Sequence, residues 1–418
     1  MRNGKAKASV DTAVVDVWRR ELGELSNRKF ANRIAASEDL VLRLDNSHIH
    51  VKDQSCADRV TFNAAGNILV SGSPDKRVSM WDWEPGISKI SFNSGHKYID
   101  SHFVVKIMPY TGDHSLVMCS ADGQVRHALI MEGGVQTRMI ANHMQGAFDL
   151  AVEPGSPNIF YSCGADGLVN HFDLRRRRHL AVTQLFKCQP IDDPMLIRGF
   201  IPLYHIAFDP VNPNLFAVSG CDKYTRLYDI RKSKQDSSTD FGQPIDHFYP
   251  PHLIGDHEIG VTGMAFSDQS ELLVSYGDSS ICLFTRDMGL GHDPVPSSRG
   301  EASEKVIPRV YKGLSKKERS KSVSFFGPKS EYVVVGSEFG RMFIWKKKGG
   351  ELVRVMKAVR RRVNFIESHP QTSVLASCGS LELKIWTPKA VDKAVLPTQN
   401  ELDQQVQERS MYRFLPFP

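Results

Sequence analysis

The 418-residue sequence contains no run of 18 or more apolar residues, so no helix is expected to cross a membrane. Its first 15 residues, MRNGKAKASVDTAVV, start basic but lack the apolar stretch of a secretory signal. A cytoplasmic or nuclear location, or both, is therefore expected. Cysteines are few and scattered. The seven form no C-x-x-C pair, and their odd number fits neither a disulfide framework nor a structural zinc site. Cys119, Cys163, Cys221, Cys282 and Cys378 sit in or beside short apolar runs, where a thiol behaves as a small hydrophobe. Neither G-x-x-x-x-G-K-[ST] nor a strand-linked G-x-G-x-x-G is present, so nucleotide binding has no support. A formal charge of +6 permits an acidic partner but is too mild to call for nucleic acid. No catalytic residue, metal site or cofactor is assigned.

What the sequence does contain is a repeat. An apolar strand, a Ser/Gly/Cys-rich corner with an acid, a second strand and an aromatic recur. The pattern reads ILVSGSPDKRVSMWDW at 68–83, FYSCGADGLVNHFDLR at 160–175, FAVSGCDKYTRLYDIR at 216–231 and LLVSYGDSSICLFTR at 272–286. Looser copies begin at 116, 332 and 374, making seven. In the four good copies an Asp precedes the aromatic by a constant interval: Asp75 and Trp81, Asp166 and Phe172, Asp222 and Tyr228, Asp278 and Phe284. A constant interval within variable sequence implies a constant turn, which Asp favours by bonding back to nearby amides. Another alternating strand, such as YHIAF at 204–208, precedes each hairpin. The aromatic positions lie about 41 to 61 residues apart, and the shortest spacings match one four-stranded WD-type blade.

The fold expected is all-β: a seven-bladed WD-repeat β-propeller with a short N-terminal helical segment. A basic tail and helices would occupy 1–38, the propeller 39–390 and a tail 391–418. Polar inserts near 187–200, 232–247 and 287–321 are read as loops. The alternating stretch Asp39–Leu44 is expected to complete the seventh blade, because a closed ring leaves no long unpaired edge.

Within 14–25, Val15, Trp18, Leu22 and Leu25 recur at helical spacing, predicting an amphipathic helix. Ser26 or Asn27 can cap a second helix in which Phe30 and Ile34 share a face. Both helices either pack on the propeller rim or present an apolar face to a partner. Two blade ends carry the same phrase, FDLR at Asp173 and Arg175 and YDIR at Asp229 and Arg231. A structural idiom explains the Asp residues; the two Arg forks fit a grip on a partner's carboxylates or carbonyls better. The basic clusters Arg175–Arg178, Lys346–Lys348 and Arg360–Arg362 are read first as solvated faces, with an anionic partner or nuclear import as the alternative. His143 with Ser162 and Asp166, and His257 with Ser275 and Asp278, are expected to be structural bonds within blades. No G-x-S-x-G elbow accompanies either set, which argues against a Ser-His-Asp catalyst. Residues 297–322 hold eight Lys/Arg against three Glu, a composition suited to a mobile loop.

With these residues laid out, the stretch VWRRELGELSNRKFANRIAASEDLVLRLD at 17–45 resembles the N-terminal signature of the eighth cullin-four-associated factor family. The phrases VTFNAAGNILVSGSPDKRVSMWDW, ADGLVNHFDLR and CDKYTRLYDIR follow in the same order. That resemblance spans roughly 14–390. It implies a non-catalytic substrate receptor of a cullin-four RING ubiquitin ligase, docked on the large damaged-DNA-binding adaptor and presenting unknown protein substrates. It also implies that Asp166, Asp173, Arg175, Asp222, Asp229 and Arg231 form the adaptor face, and that Trp18, Leu22, Phe30 and Ile34 on the helices insert into the adaptor. This sequence departs from the family at Phe172 and Tyr228, where Trp is usual; the ring is kept and the indole N–H lost. It departs also at Asp53, Pro74 and Ala128. A ligase-independent scaffold or reader is the second reading. No membrane or nucleic-acid partner is expected.

Overall fold

In the computed structural model, residues 12–404 are described except 50–57, 98–101, 177–181, 190, 192–198, 233–242, 254–255, 257–258, 292–306, 316–317, 380–381, 399 and 403. Seven four-stranded antiparallel sheets form seven blades. Each runs from an innermost first strand to an outer fourth, and the innermost strands of neighbouring blades touch all the way round the ring. Blade three comprises Ala147–Val152, Ile159–Gly164, Leu168–Asp173 and Val182–Lys187; blade four comprises Leu203–Phe208, Leu215–Gly220, Thr225–Asp229 and Asp246–Phe248.

The aromatic at the end of each third strand is what joins one blade to the one before it. Phe172 packs with Val104 and Val117 of blade two, Tyr228 with Cys163 and Val169 of blade three, and Trp386 with Val334 and Ile344 of blade six. Ala128 fills the same place in blade two, where Met80 and Met118 take up the missing volume. The expected loss of an indole bond is visible by contrast. Trp81 donates to Ser71 at 2.9 Å and Trp386 to Ser377 at 2.8 Å, whereas Phe172 offers only a stacked contact with Phe160 at 4.4 Å. Cys119, Cys163, Cys282 and Cys378 are buried in these layers as free thiols and Cys221 is partly buried.

The ring closes with its N-terminal strand in the seventh blade, but not with the stretch expected. Leu44–Ile49 pairs with Glu382–Pro388, in register from Leu44 opposite Pro388 to Ile49 opposite Leu383. The predicted closing strand, Asp39–Leu44, is mostly a short helix, Glu38–Leu42 (α3 below). Its physical cause is local: Ser37 caps it by accepting from the Asp39 amide, and Glu38 and Asp39 sit at the positive end of the helix. Val41 is then driven into the blade six–seven core. The inserts are also not pure loop. Outer strands Asp246–Phe248 and Arg309–Val310 lie wholly or partly within two of them, too short to show a period. In the C-terminal tail, Leu402 is buried and its carbonyl accepts from Arg341 at 3.2 Å.

Candidate functional site

Chain direction gives the propeller two unlike faces. Turns between second and third strands, with the connections between blades, form what is here called the hairpin face. The ends of the third strands lie on the opposite, far face.

Asp166 and Asp222 sit in the turns of the hairpin face. The Asp166–Gly167 corner needs its glycine: φ is +74°, and a Cβ would press on Phe200 and the Ile201 carbonyl. Asp166 accepts from His143 Nδ1 at 2.9 Å and from the Met144 and Leu168 amides, while His143 Nε2 meets Ser162 Oγ at 2.7 Å. Burial would raise the Asp166 carboxyl, but the bond from His143 and these amides outweigh it and hold it below the usual range. Ser162 is fully buried, so this Ser-His-Asp set has no route to a substrate and ties blade three together. Asp222 grips Arg226 of its own blade through two bonds of 3.0 and 2.5 Å. In the second predicted set Ser275 pairs with Thr262 and Asp278 lies 3.3 Å from His252; His257 lies outside the described residues. Sequence reasoning missed a matching pair, His96 Nδ1 to Asp122 at 3.0 Å, for which the dipeptide Gly95-His96 was the available signal.

Asp173 and Arg175, and Asp229 and Arg231, stand at the other end. The Arg175 Nε and Nη2 groups both donate to Asp173 at 2.9 Å. In blade four, Arg231 Nε and Nη2 donate to Asp229 at 3.0 and 2.6 Å. The side chains of Arg175 and Arg231 are 62% and 66% exposed, so each Asp holds a fork out into solvent, and among the described residues neither Nη1 group is engaged. The forks also hold the Asp173 and Asp229 carboxyls below their ordinary range. Neighbouring blades thus present one geometry on one face. The six residues do not form a single surface, however: Asp166 and Asp222 lie at the opposite ends of their third strands from the two Arg forks. Asp166 is consumed by internal bonds and Asp222 by its grip on Arg226, because antiparallel hairpins send residues a strand apart to opposite faces.

The helical segment joins the far face. Helix α1 (Thr12–Glu21) and helix α2 (Asn27–Ala35) form a hairpin held by Arg33 to Asp16 at 2.9 Å and by Arg20 over the Phe30 ring. Ser26 caps α2, accepting from the Lys29 amide. The carbonyls of Ala35 and Ala36 accept from Ser373, in a far-face turn of blade seven, and from Tyr332, at the far-face start of blade six's second strand. Helix α3 (Glu38–Leu42) then anchors the segment, with Arg354 donating to the Val41 and Leu44 carbonyls at 2.5 Å. Trp18 is 63% and Leu22 74% exposed, with Val14 and Val17 on the same stripe. Phe30 and Ile34 are only half-buried. The helices therefore do not bury their apolar face on the rim.

The basic clusters separate. Lys347 is buried in a bond to Glu271 of blade five at 2.6 Å, and Lys346 bridges Glu38 and Glu351. Arg360–Arg362 are exposed on the hairpin face. Arg177 and Arg178, and 297–306 of the basic loop, lie outside the described residues. Among the described residues no His/Cys/Asp/Glu group suits a metal, and no helix is long and apolar enough to cross a membrane.

The chain is a seven-bladed β-propeller with WD repeats. The family model "WD domain, G-beta repeat" matches 47–82 and 248–285, each match beginning in one blade's outer strand and ending at or one residue past the end of the next blade's third. Among curated proteins, it is 28% identical over 280 residues to human DDB1- and CUL4-associated factor 6, covering 64% of this chain and 31% of that one. It is 26% identical to Protein ALTERED SEED GERMINATION 2 of Arabidopsis thaliana (62% of this chain, 38% of that one). Human WD and tetratricopeptide repeats protein 1 is 28% identical over 218 residues (52% and 31%). The chain thus spans well under half the length of these relatives. The β-propeller domain of Cps50 (Swd1) from Myceliophteria thermophila superposes with a TM-score of 0.61 at 16% identity, covering 82% of this chain and 99% of that one, a likeness of fold alone.

Proposed function

We propose that this protein is a non-catalytic substrate receptor that docks through its far face on the DDB1 adaptor of a cullin-four ligase, as a member of the eighth cullin-four-associated factor family. The observation that carries the reading is the paired Arg forks of blades three and four, exposed on the face from which α1 and α2 also project. A bidentate guanidinium suits carboxylates and carbonyls on a partner, and the apolar stripe of Trp18 and Leu22 suits a hydrophobic groove. Likeness to DDB1- and CUL4-associated factor 6 supports DDB1 as the partner. The receptor would act by holding a target near a ubiquitin-charged enzyme, through effective concentration and without reactive groups of its own. Recovery of a tagged full chain from cells tests this: DDB1 and cullin-four should appear in stoichiometric amounts. Recovery of a stable complex without either would replace the receptor by the ligase-independent scaffold.

A further inference from the structure

Apolar exposure differs between the two faces. Among the described residues, the turns and connections of the hairpin face expose one large apolar side chain, Met144. The far face exposes more. Outside the N-terminal helices and the C-terminal tail, three of its exposed apolar residues belong to blade two, built from Phe103–Ile107, Ser115–Ser120, Gln124–Met131 and Gly134–Asn142. Tyr110, in the turn from its first strand to its second, is 80% exposed, and Leu129 and Met131 at the far-face end of its third strand are exposed too. The matching turn of blade five, Ser267–Ser270, is wholly polar. The central channel, of about 740 Å³, shows no such bias: Arg59 and Lys106 stand against Asp149 and Glu367, on walls that include His102.

This patch continues the Arg175 fork. Met108 and Phe172 pack in the core of the seam between blades two and three, and Leu174 lies against the same core. Tyr110 follows Met108 by two residues and Arg175 follows Leu174 by one, so the ring and the guanidinium emerge from one seam on one face. The turn that carries Tyr110 is also held in an uncommon shape. Tyr110, Gly112 and Asp113 have φ of 58°, 62° and 63°, a left-handed conformation that a bulky side chain rarely adopts. Thr111 Oγ1 donates to the Met108 carbonyl at 2.7 Å, and Asn63 of blade one donates to Asp113 at 2.8 Å. Backbone strain of this kind persists where the surroundings impose it, and it gathers at binding surfaces. Tyr110 is thus presented on backbone already ordered, which lowers the cost of binding.

We propose that Tyr110, Leu129 and Met131 form an apolar anchor contiguous with the Arg175 fork, and that the adaptor gripped by the fork covers it with apolar side chains of its own. This deepens the receptor reading, on which it rests for the partner's identity, and adds blade two to the docked surface.

The test is interferometry of the purified full chain on immobilised DDB1, with light scattering to read its oligomeric state. Tyr110→Ala with Met131→Ala should bind roughly tenfold or more weakly, as aromatic anchors do when truncated. Its melting temperature should stay unchanged, since neither side chain is buried. Tyr110→Phe keeps the ring and should stay within about threefold of the parent. Met144→Ala, on the opposite face, should bind as the parent does. Binding of the folded double variant within about threefold of the parent overturns the proposal. So does an equal loss in Met144→Ala, a loss in Tyr110→Phe as large as in the double variant, or a parent dimer that the double variant abolishes. A parent that fails to bind DDB1 defeats the receptor reading and this inference with it. One that binds DDB1 equally well without the two side chains defeats this inference alone.

Discussion

Replacing Arg175 and Arg231 together by Ala isolates the far-face forks. Each guanidinium spends Nε and one Nη2 proton on its own Asp, and among the described residues the Nη1 group and a second Nη2 proton are left for a partner. Folding should hardly notice the change. Both side chains are mostly exposed, and the backbone amides of residues 175 and 231 still donate to Asp173 and Asp229 after substitution. Exposed pairs contribute little, so the melting temperature should move by no more than about 2 °C. Docking should respond strongly. An Arg at the centre of an interface costs about tenfold to thirtyfold when truncated, and two non-contacting sites add, giving roughly a hundredfold loss or more of DDB1 affinity. Lys at both positions keeps the charge but not the planar fork, and should fall between. Biolayer interferometry on immobilised DDB1 reads all three. A folded double-Ala variant that binds within about threefold of the parent, no more than a surface pair contributes, refutes the assignment.

Three further outcomes follow from the geometry. His143→Ala removes bonds to buried Asp166 and Ser162 and should destabilise the protein by about 2–4 kcal/mol in urea unfolding; a cost below about 1 kcal/mol would mean that the network is not structural. Trp18→Ala with Leu22→Ala should weaken DDB1 binding without lowering the melting temperature, since neither side chain is buried; a falling melting temperature would show that the stripe packs on the propeller instead. Acid should destabilise the fold. Desolvation pushes His102, His127 and His205 down to about 4, with Arg59 adding at His102 and Arg138 at His127, even though His102 faces the channel. The unfolded chain, titrating near 6.5, then binds more protons, so stability is full above that pH and declines as pH falls towards 4. A urea midpoint equal at pH 7 and pH 5 would contradict this.

Much of the fold was legible because a blade is a local object. The interval from Asp166 to Phe172, repeated at Asp222 and Tyr228, lies within one hairpin, and hairpin geometry depends on few residues. The internal role of His143 was legible for the same reason, and the Ser26 cap was read from a residue type and its position. Elements that take their structure from distant partners were harder. Leu44–Ile49 is a strand because Glu382–Pro388 lies beside it, and the two-residue strand Arg309–Val310 exists only through its pairing with Cys282 and Leu283. Lys347 looked like part of a solvated cluster until blade five brought Glu271 to it.

The sequence by itself determined the repeat, its count and the aromatic that joins each blade to the last, whereas the bond from each Arg fork to the Asp two residues before it came from the structure. The repeat, its count and its aromatic rest on short-range spacing, which the backbone converts directly into turns and strand registers. Only the tertiary structure decided which residues share a surface. Asp166 and Asp173 are close in sequence, yet a strand of about 3.3 Å per residue carries them to opposite faces. Residues hundreds of positions apart, such as Tyr332 and Ala36, meet because the closed ring returns the chain's start to its last blades.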